Sequence, residues 1–110
     1  MAGSDIYTGT LDLLVLKALA WGPMHGYAIN KWIRERTGDS LQVNDGALYP
    51  TLHRLELRGL LDQEWGVTDR NREAKYYSLT PLGRKQLKLE VERWRKYTRA
   101  VNAALAATSA

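Results

Sequence analysis

The sequence predicts a mainly α-helical fold with one small β-hairpin, closing on a long helix. Three observations carry that expectation. Apolar residues recur at helical spacing in three stretches between residues 10 and 61, each bounded by cap or stop residues. Two short strand-compatible segments, Leu61 to Trp65 and Ala74 to Leu79, flank a polar turn. Beyond Thr80 and Pro81 a heptad-spaced apolar seam runs almost to the end of the chain.

Residues 1–9 are small and polar and read as a lead-in. Thr10 suits an N-cap for a helix from Leu11 to about Trp21, which Gly22 and Pro23 stop. The run LDLLVLKALAW is apolar nearly all round, with Asp12 and Lys17 its only charges, so the helix is buried on most sides. In so short a chain that much burial implies a second subunit, met by Leu11 and Leu14. The next helix, Met24 to Gly38, has an apolar stripe of Ile29, Trp32 and Ile33 and a polar face of Lys31, Arg34, Glu35 and Arg36. Gly38 fits the C′ position, and residues 39–43 form a connector.

The stretch NDGALYPTLHRLELRGLL, residues 44–61, organises the rest. Asn44 and Asp45 are good cap residues, and Gly59 suits a helix C-terminus. Leu48, Leu52 and Leu55 form one apolar stripe, whereas Pro50, His53 and Leu57 point the opposite way, with Arg54 beside them and Tyr49 on a flank. Pro50 falls in the first turn or two, where unpaired amides make its missing donor least costly. Two helices joined by a short connector, the second with an exposed polar face, match a helix-turn-helix with a recognition helix.

The segment between the two strands, GVTDRNRE, carries the turn formers Gly66, Asp69 and Asn71. The hairpin therefore has a basic tip, Arg70 and Arg72, with Lys75 on the returning strand. A hairpin in this position is a wing. Thr80 as N-cap and Pro81 at N1 then start a helix that can run to about Ala107. Its seam is Leu87, Val91, Trp94, Thr98, Val101 and Leu105, and only Thr98 is polar. Such a seam wants a partner, and the nearest candidate is a copy of itself.

Composition narrows the function. One domain is expected from 110 residues, and an apolar share of 45% supports a small core. Absence of cysteine removes disulfides, thiolate metal sites and thiol nucleophiles together. No stretch has the length and apolarity of a membrane span or a secretory leader, which agrees with a soluble, cytoplasmic protein. Net charge is +4, distributed unevenly: residues 1–62 carry six Lys/Arg against seven Asp/Glu, and residues 63–110 carry ten against five. The asymmetry fits an acidic partner such as nucleic acid, or equally a solvated basic helix face. Neither His25 nor His53 has neighbours at metal-ligand spacing, and no catalytic arrangement is present; Glu90 and Glu92, two apart on a helix, face different ways. No metal, cofactor or catalytic residue is expected.

Three motifs in order then resemble the PadR family of transcriptional regulators: HGYAI from His25, GALYPTLHRLELRGL from Gly46 to Leu60, and RNREAKYYSLTPLGR from Arg70 to Arg84. The lead-in TGTLDLLVLKAL also resembles the family's first helix. The resemblance implies a winged helix-turn-helix dimer that binds operator DNA, most often as a repressor, pairing through its first and last helices. With a single helix after the wing, the chain resembles the compact subfamily. Some compact members take a flat aromatic ligand at the dimer interface beside a Trp on the last helix, the position Trp94 occupies here.

The resulting expectation is a lead-in over residues 1–9, a winged helix-turn-helix over 10–80 and a dimerisation helix over 81–110. Double-stranded DNA is to be met by Asn44, Tyr49, Pro50, Thr51, His53 and Arg54 and, from the wing, by Arg70, Arg72 and Lys75. Arg54 suits a guanine edge or a phosphate, and Lys31 and Arg34 a backbone phosphate. The homodimer interface is assigned to Leu11, Leu14, Leu87, Val91, Trp94, Val101 and Leu105. Trp94 is either plain core or the clamp for a small aromatic effector, and Tyr97 lines the same interface or faces solvent. Trp21, Trp32 and Trp65 are assigned to packing. The rival to a DNA-binding repressor is a winged-helix module that uses the same surfaces to hold a protein.

Overall fold

The computed structural model describes residues 9–108, so the lead-in expected over 1–9 lies outside the described residues except for Gly9. The order of elements is α1 (Thr10–Ala18), a 3-10 turn (Leu19–Trp21), β1 (Met24–His25), α2 (Gly26–Arg36), α3 (Asp45–Leu57), β2 (Leu61–Val67), β3 (Glu73–Leu79) and α4 (Pro81–Leu105). Three helices and a three-stranded antiparallel sheet of order β1-β3-β2 enclose one core, and α4 leaves it as a long terminal helix. Among the described residues no helix is long and apolar enough to cross a membrane.

The core is built from the stripes the periodicity marks. Val15, Leu16 and Leu19 come from the first helical segment, Ile29 and Ile33 from α2, and Leu48, Leu52 and Leu55 from α3, all essentially inaccessible. Leu60, Leu61, Tyr77 and Leu79 close it from the sheet side. Removal of these side chains from water supplies the main non-directional drive for the fold. The α2–α3 corner is fixed by polar groups instead. Asn30 Nδ2 donates to the Val43 carbonyl at 2.9 Å, and Thr37 Oγ1 accepts from the Leu41 amide at 3.1 Å.

Several expectations need correction. Thr10 is not the cap of α1: Gly9 holds that position with φ 91°, and Thr10 is already helical. The α-helix ends at Ala18 and tightens into the 3-10 turn before Gly22. The second helix starts later than Met24, because Met24 and His25 pair with Tyr77 and Tyr76 as a short strand. His25 then caps α2, its Nδ1 accepting from the Ala28 amide at 3.0 Å. Gly66 is a strand residue rather than a turn residue. The Tyr76 ring lies over it, 2.8 Å from where a Cβ would stand.

Trp21 and Trp65 do not pack inside. They are 64% and 63% exposed, whereas Trp32 lies half-buried against the core. Each exposed ring has a cation over it: Lys17 at 5.8 Å and Arg36 at 5.9 Å for Trp21, and Lys75 at 5.8 Å for Trp65. Indole rings attract cations through their quadrupole and tolerate such half-wet positions. Proline does not break α3. The helix runs unbroken through Pro50, with Asn44 Oδ1 accepting from the Ala47 amide at 2.9 Å as its cap.

Candidate nucleic-acid interface

One face of α3 is fully used by the core, which leaves the other to define the candidate site. Pro50, His53 and Leu57 are exposed there, Tyr49 sits half-covered on the flank, and Asn44 stands at the N-terminus. Thr51 does not belong with them. It is only 6% exposed, because three residues after Leu48 and four before Leu55 it falls on the buried stripe. Its hydroxyl reads as surface chemistry, but helical geometry decides its direction.

Tyr49 is held by α2. Its phenol lies across the N-terminal residue of that helix, and a Cβ on Gly26 would stand 2.6 Å from Oη. Tyr77 lies beneath, its hydroxyl pushed up by burial, with Glu56 and Tyr49 adding to the effect. Asn44 is also engaged, since its side-chain oxygen caps α3.

Arg54 does not stand free at the surface. Its Nη1 and Nη2 donate to Asp12 Oδ2 and Oδ1 at 2.8 and 2.7 Å, a planar fork between α3 and α1. The Asp12 hydrogen bonds hold its guanidinium above its ordinary range, the carboxylate charge helping and a little burial opposing. Arg58, one turn on, lies 4.0 Å from Asp12 Oδ2. Periodicity marks Asp12 only as an isolated charge in an apolar run; nothing local points to a partner 42 positions away.

The wing presents Arg70, Arg72 and Lys75 exposed. Asn71 takes φ 59° at the tip, and its amide donates to the Thr68 carbonyl at 2.8 Å. The Thr68 amide donates across the turn to the Arg72 carbonyl at 2.8 Å, so both arginines leave a closed loop rather than a loose one. Lys31 and Arg34 are exposed on α2, but Arg34 is drawn to Asp39 at 3.7 Å. The result is an exposed helix face beside a basic hairpin, both held by one core.

That arrangement has counterparts. The model of the "Transcriptional regulator PadR-like family" matches residues 15–89, from the middle of α1 through the wing into α4. The chain belongs to the PadR-like family. It is 41% identical over 84 residues to a transcriptional regulator of Mycobacterium tuberculosis, covering 76% of this chain and 74% of that protein. A solved transcriptional regulator from Clostridium thermocellum superposes with a TM-score of 0.78 at 30% identity, covering 86% of this chain and 92% of that one. A PadR family transcription regulator from Clostridium difficile R20291 gives a TM-score of 0.77 at 29% identity, over 89% and 100% of the two chains. This PadR-like chain is therefore a winged-helix transcriptional regulator acting through DNA, as the family and the two solved structures it is similar to are transcriptional regulators.

The last helix of this PadR-like protein bears a second feature. Gly9, Thr10 and Leu13 from the start of the chain and Glu90, Arg93, Trp94 and Tyr97 from α4 line an open cleft of about 360 Å³. Of the residues expected at a subunit interface, Leu11, Leu14 and Leu87 already pack partly against their own core, and Val91 is half-buried. Trp94, Val101 and Leu105 are exposed, at 41%, 37% and 77%. Tyr97 faces solvent at the rim of the cleft, tilted against Trp94. Sequence spacing marks Trp94; the placing of Leu13, Glu90 and Arg93 around it comes from how α1 crosses α4.

Proposed function

We propose that this PadR-like regulator is a homodimeric repressor of a roughly palindromic operator. Each α3 enters a major groove with Tyr49, Pro50 and His53 toward the bases, and Asn44 lies at its N-terminal end, where helix-turn-helix proteins read sequence. Arg70, Arg72 and Lys75 of each wing meet phosphate or the minor groove, which requires only positive charge within reach. Residues 10–80 form the DNA-binding unit and residues 81–110 the pairing helix, with half-sites about one helical turn apart.

The observation that carries the dimer is α4 itself. It has 25 residues, yet beyond Gly83 none of them is buried, and Trp94, Val101 and Leu105 of its seam, with Tyr97 on the flank, are all exposed. Apolar residues at this spacing on a projecting helix favour a second helix of the same kind. A copy laid against them would also roof the cleft beside Trp94, where Leu13, Trp94 and Tyr97 offer apolar surface to a flat aromatic effector and Thr10, Glu90 and Arg93 offer polar groups to its substituents. Occupation of that pocket would change the angle between the two DNA-binding units and so relieve repression.

The test is DNA affinity against salt, using duplexes from the promoter of its own and neighbouring genes. Binding is expected to fall steeply as salt rises. Arg70→Ala and Arg72→Ala should each shallow the log–log slope by roughly 0.9 for every phosphate the arginine neutralises. Absence of binding to any such duplex at low salt overturns the reading.

A further inference from the structure

The carboxylate of Asp12 has both oxygens occupied by the fork of Arg54, and Arg58 approaches from the next turn of α3. The two arginines are four apart, so one flank of the recognition helix offers two guanidiniums to a single acid on α1. This flank lies between the buried leucines and the exposed Pro50 and His53. Leucine burial holds α3 against the core, but it is non-directional and tolerates a small roll of the helix about its own axis. A planar two-bond ion pair does not, because rotation breaks both hydrogen bonds at once.

We infer that Arg54 is a positioning residue: its fork on Asp12 sets the roll of α3, and with it the direction in which Tyr49, Pro50 and His53 meet the groove. The same segment of α1 supplies Thr10 and Leu13 to the cleft, so the helix that orients α3 is also the helix that lines the second site. Arg54 therefore gives DNA neither a base contact nor a phosphate contact. To reach phosphate it would have to leave Asp12, giving up both hydrogen bonds and leaving that carboxylate, beside a polyanion, to Arg58 at 4.0 Å.

The inference rests on the DNA-binding reading of α3, and the experiment separates the two. The parent chain first selects a duplex from a random-sequence pool. That duplex is then titrated at several salt concentrations with the parent, Asp12→Asn, Arg54→Gln, Arg54→Lys and the double variant Asp12→Asn/Arg54→Gln. Melting curves verify that each is folded, as expected when the side chains are 22% and 50% exposed. Asp12→Asn and Arg54→Gln should each weaken binding about tenfold, the scale of couplings carried by a single two-state contact. The salt slope should stay that of the parent, and the double variant should be no weaker than the poorer single one. Arg54→Lys, which keeps the charge but loses the fork, should bind as poorly as Arg54→Gln.

A different pattern overturns it. If Arg54 meets phosphate, Asp12 is its competitor, so Asp12→Asn tightens binding, Arg54→Gln shallows the slope, and Arg54→Lys binds like the parent. Variants that all bind as the parent does also refute the positioning role, with the DNA reading intact. A parent that enriches no duplex removes the DNA reading, and this inference with it.

Discussion

The phenol of Tyr49 rests on the Cα of Gly26, near enough that a methyl group there would meet Cε1 and Cζ at 2.9 Å. One residue belongs to α3 and the other opens α2, the helix packed behind it. The two motifs HGYAI and GALYP are therefore halves of one contact, joined by the connector between α2 and α3.

Gly26→Ala should cost about 1–3 kcal/mol, the usual penalty of forcing atoms into a filled space. A fall of several degrees in Tm would register it. Placed on a Tyr49→Ala background, the same substitution should lose most of that penalty, because the Tyr49 ring supplies the nearest atoms that the new Cβ would meet. Measuring Tm for the four combinations checks it; equal losses in both backgrounds would mean the ring is not the obstacle.

Gly83 is the more severe case. A Cβ there would run into the carbonyl oxygen of Leu60, backbone that cannot step aside. Gly83→Ala should displace the start of α4 from the sheet, costing at least as much as Gly26→Ala and lowering the denaturant midpoint clearly. An unchanged midpoint would contradict the packing of α4 on the turn that leads into β2.

Thr80 performs two tasks where Asn44 performs one. Its Oγ1 donates to the Gly59 carbonyl at 2.7 Å and accepts from the Gly83 amide at 2.9 Å, tying the turn after α3 to the start of α4. The Asn44 side chain accepts from the Ala47 amide and makes no second bond of that kind among the described residues. Thr80→Ala should therefore be the costlier cap removal, about 1–2 kcal/mol against about 1 kcal/mol for Asn44→Ala. Urea denaturation of the two variants orders them.

Pairing through α4 is accessible to a charge test. Leu105 and Val101 are exposed within the chain, so glutamate at either position should leave the fold intact. Placed in a helix seam, the same charge is buried against apolar side chains of the partner with nothing to pair it. Leu105→Glu with Val101→Glu should shift sedimentation from dimer to monomer while the helical CD spectrum persists, and should weaken operator binding steeply at low protein concentration. A variant that sediments as the parent does would place the interface elsewhere.

Trp94 decides the effector question. Purified protein titrated with flat aromatic dyes should show saturable quenching that Trp94→Ala abolishes or weakens at least several-fold, since a base- or ring-stacking indole contributes about 1–3 kcal/mol in comparable sites. If the variant binds dye as the parent does, Trp94 serves only to pack.

What depends on neighbours along the chain is legible in the residues themselves. Spacing places Leu48, Leu52 and Leu55 in the core, caps place the starts of α3 and α4 at Asn44 and Thr80, and turn formers place the wing between two strands. These follow from local rules of period and backbone chemistry. Thr51 is within reach of the same periodicity, but its polar side chain argues for the surface and the helix angle prevails. Other outcomes belong to the tertiary structure: Met24 and His25 become a third strand, Trp21 and Trp65 stay at the surface under lysine and arginine, and Asp12 holds Arg54. They turn on which surfaces meet after the chain has closed on itself, and residues 42 positions apart carry no mark of each other in a single sequence.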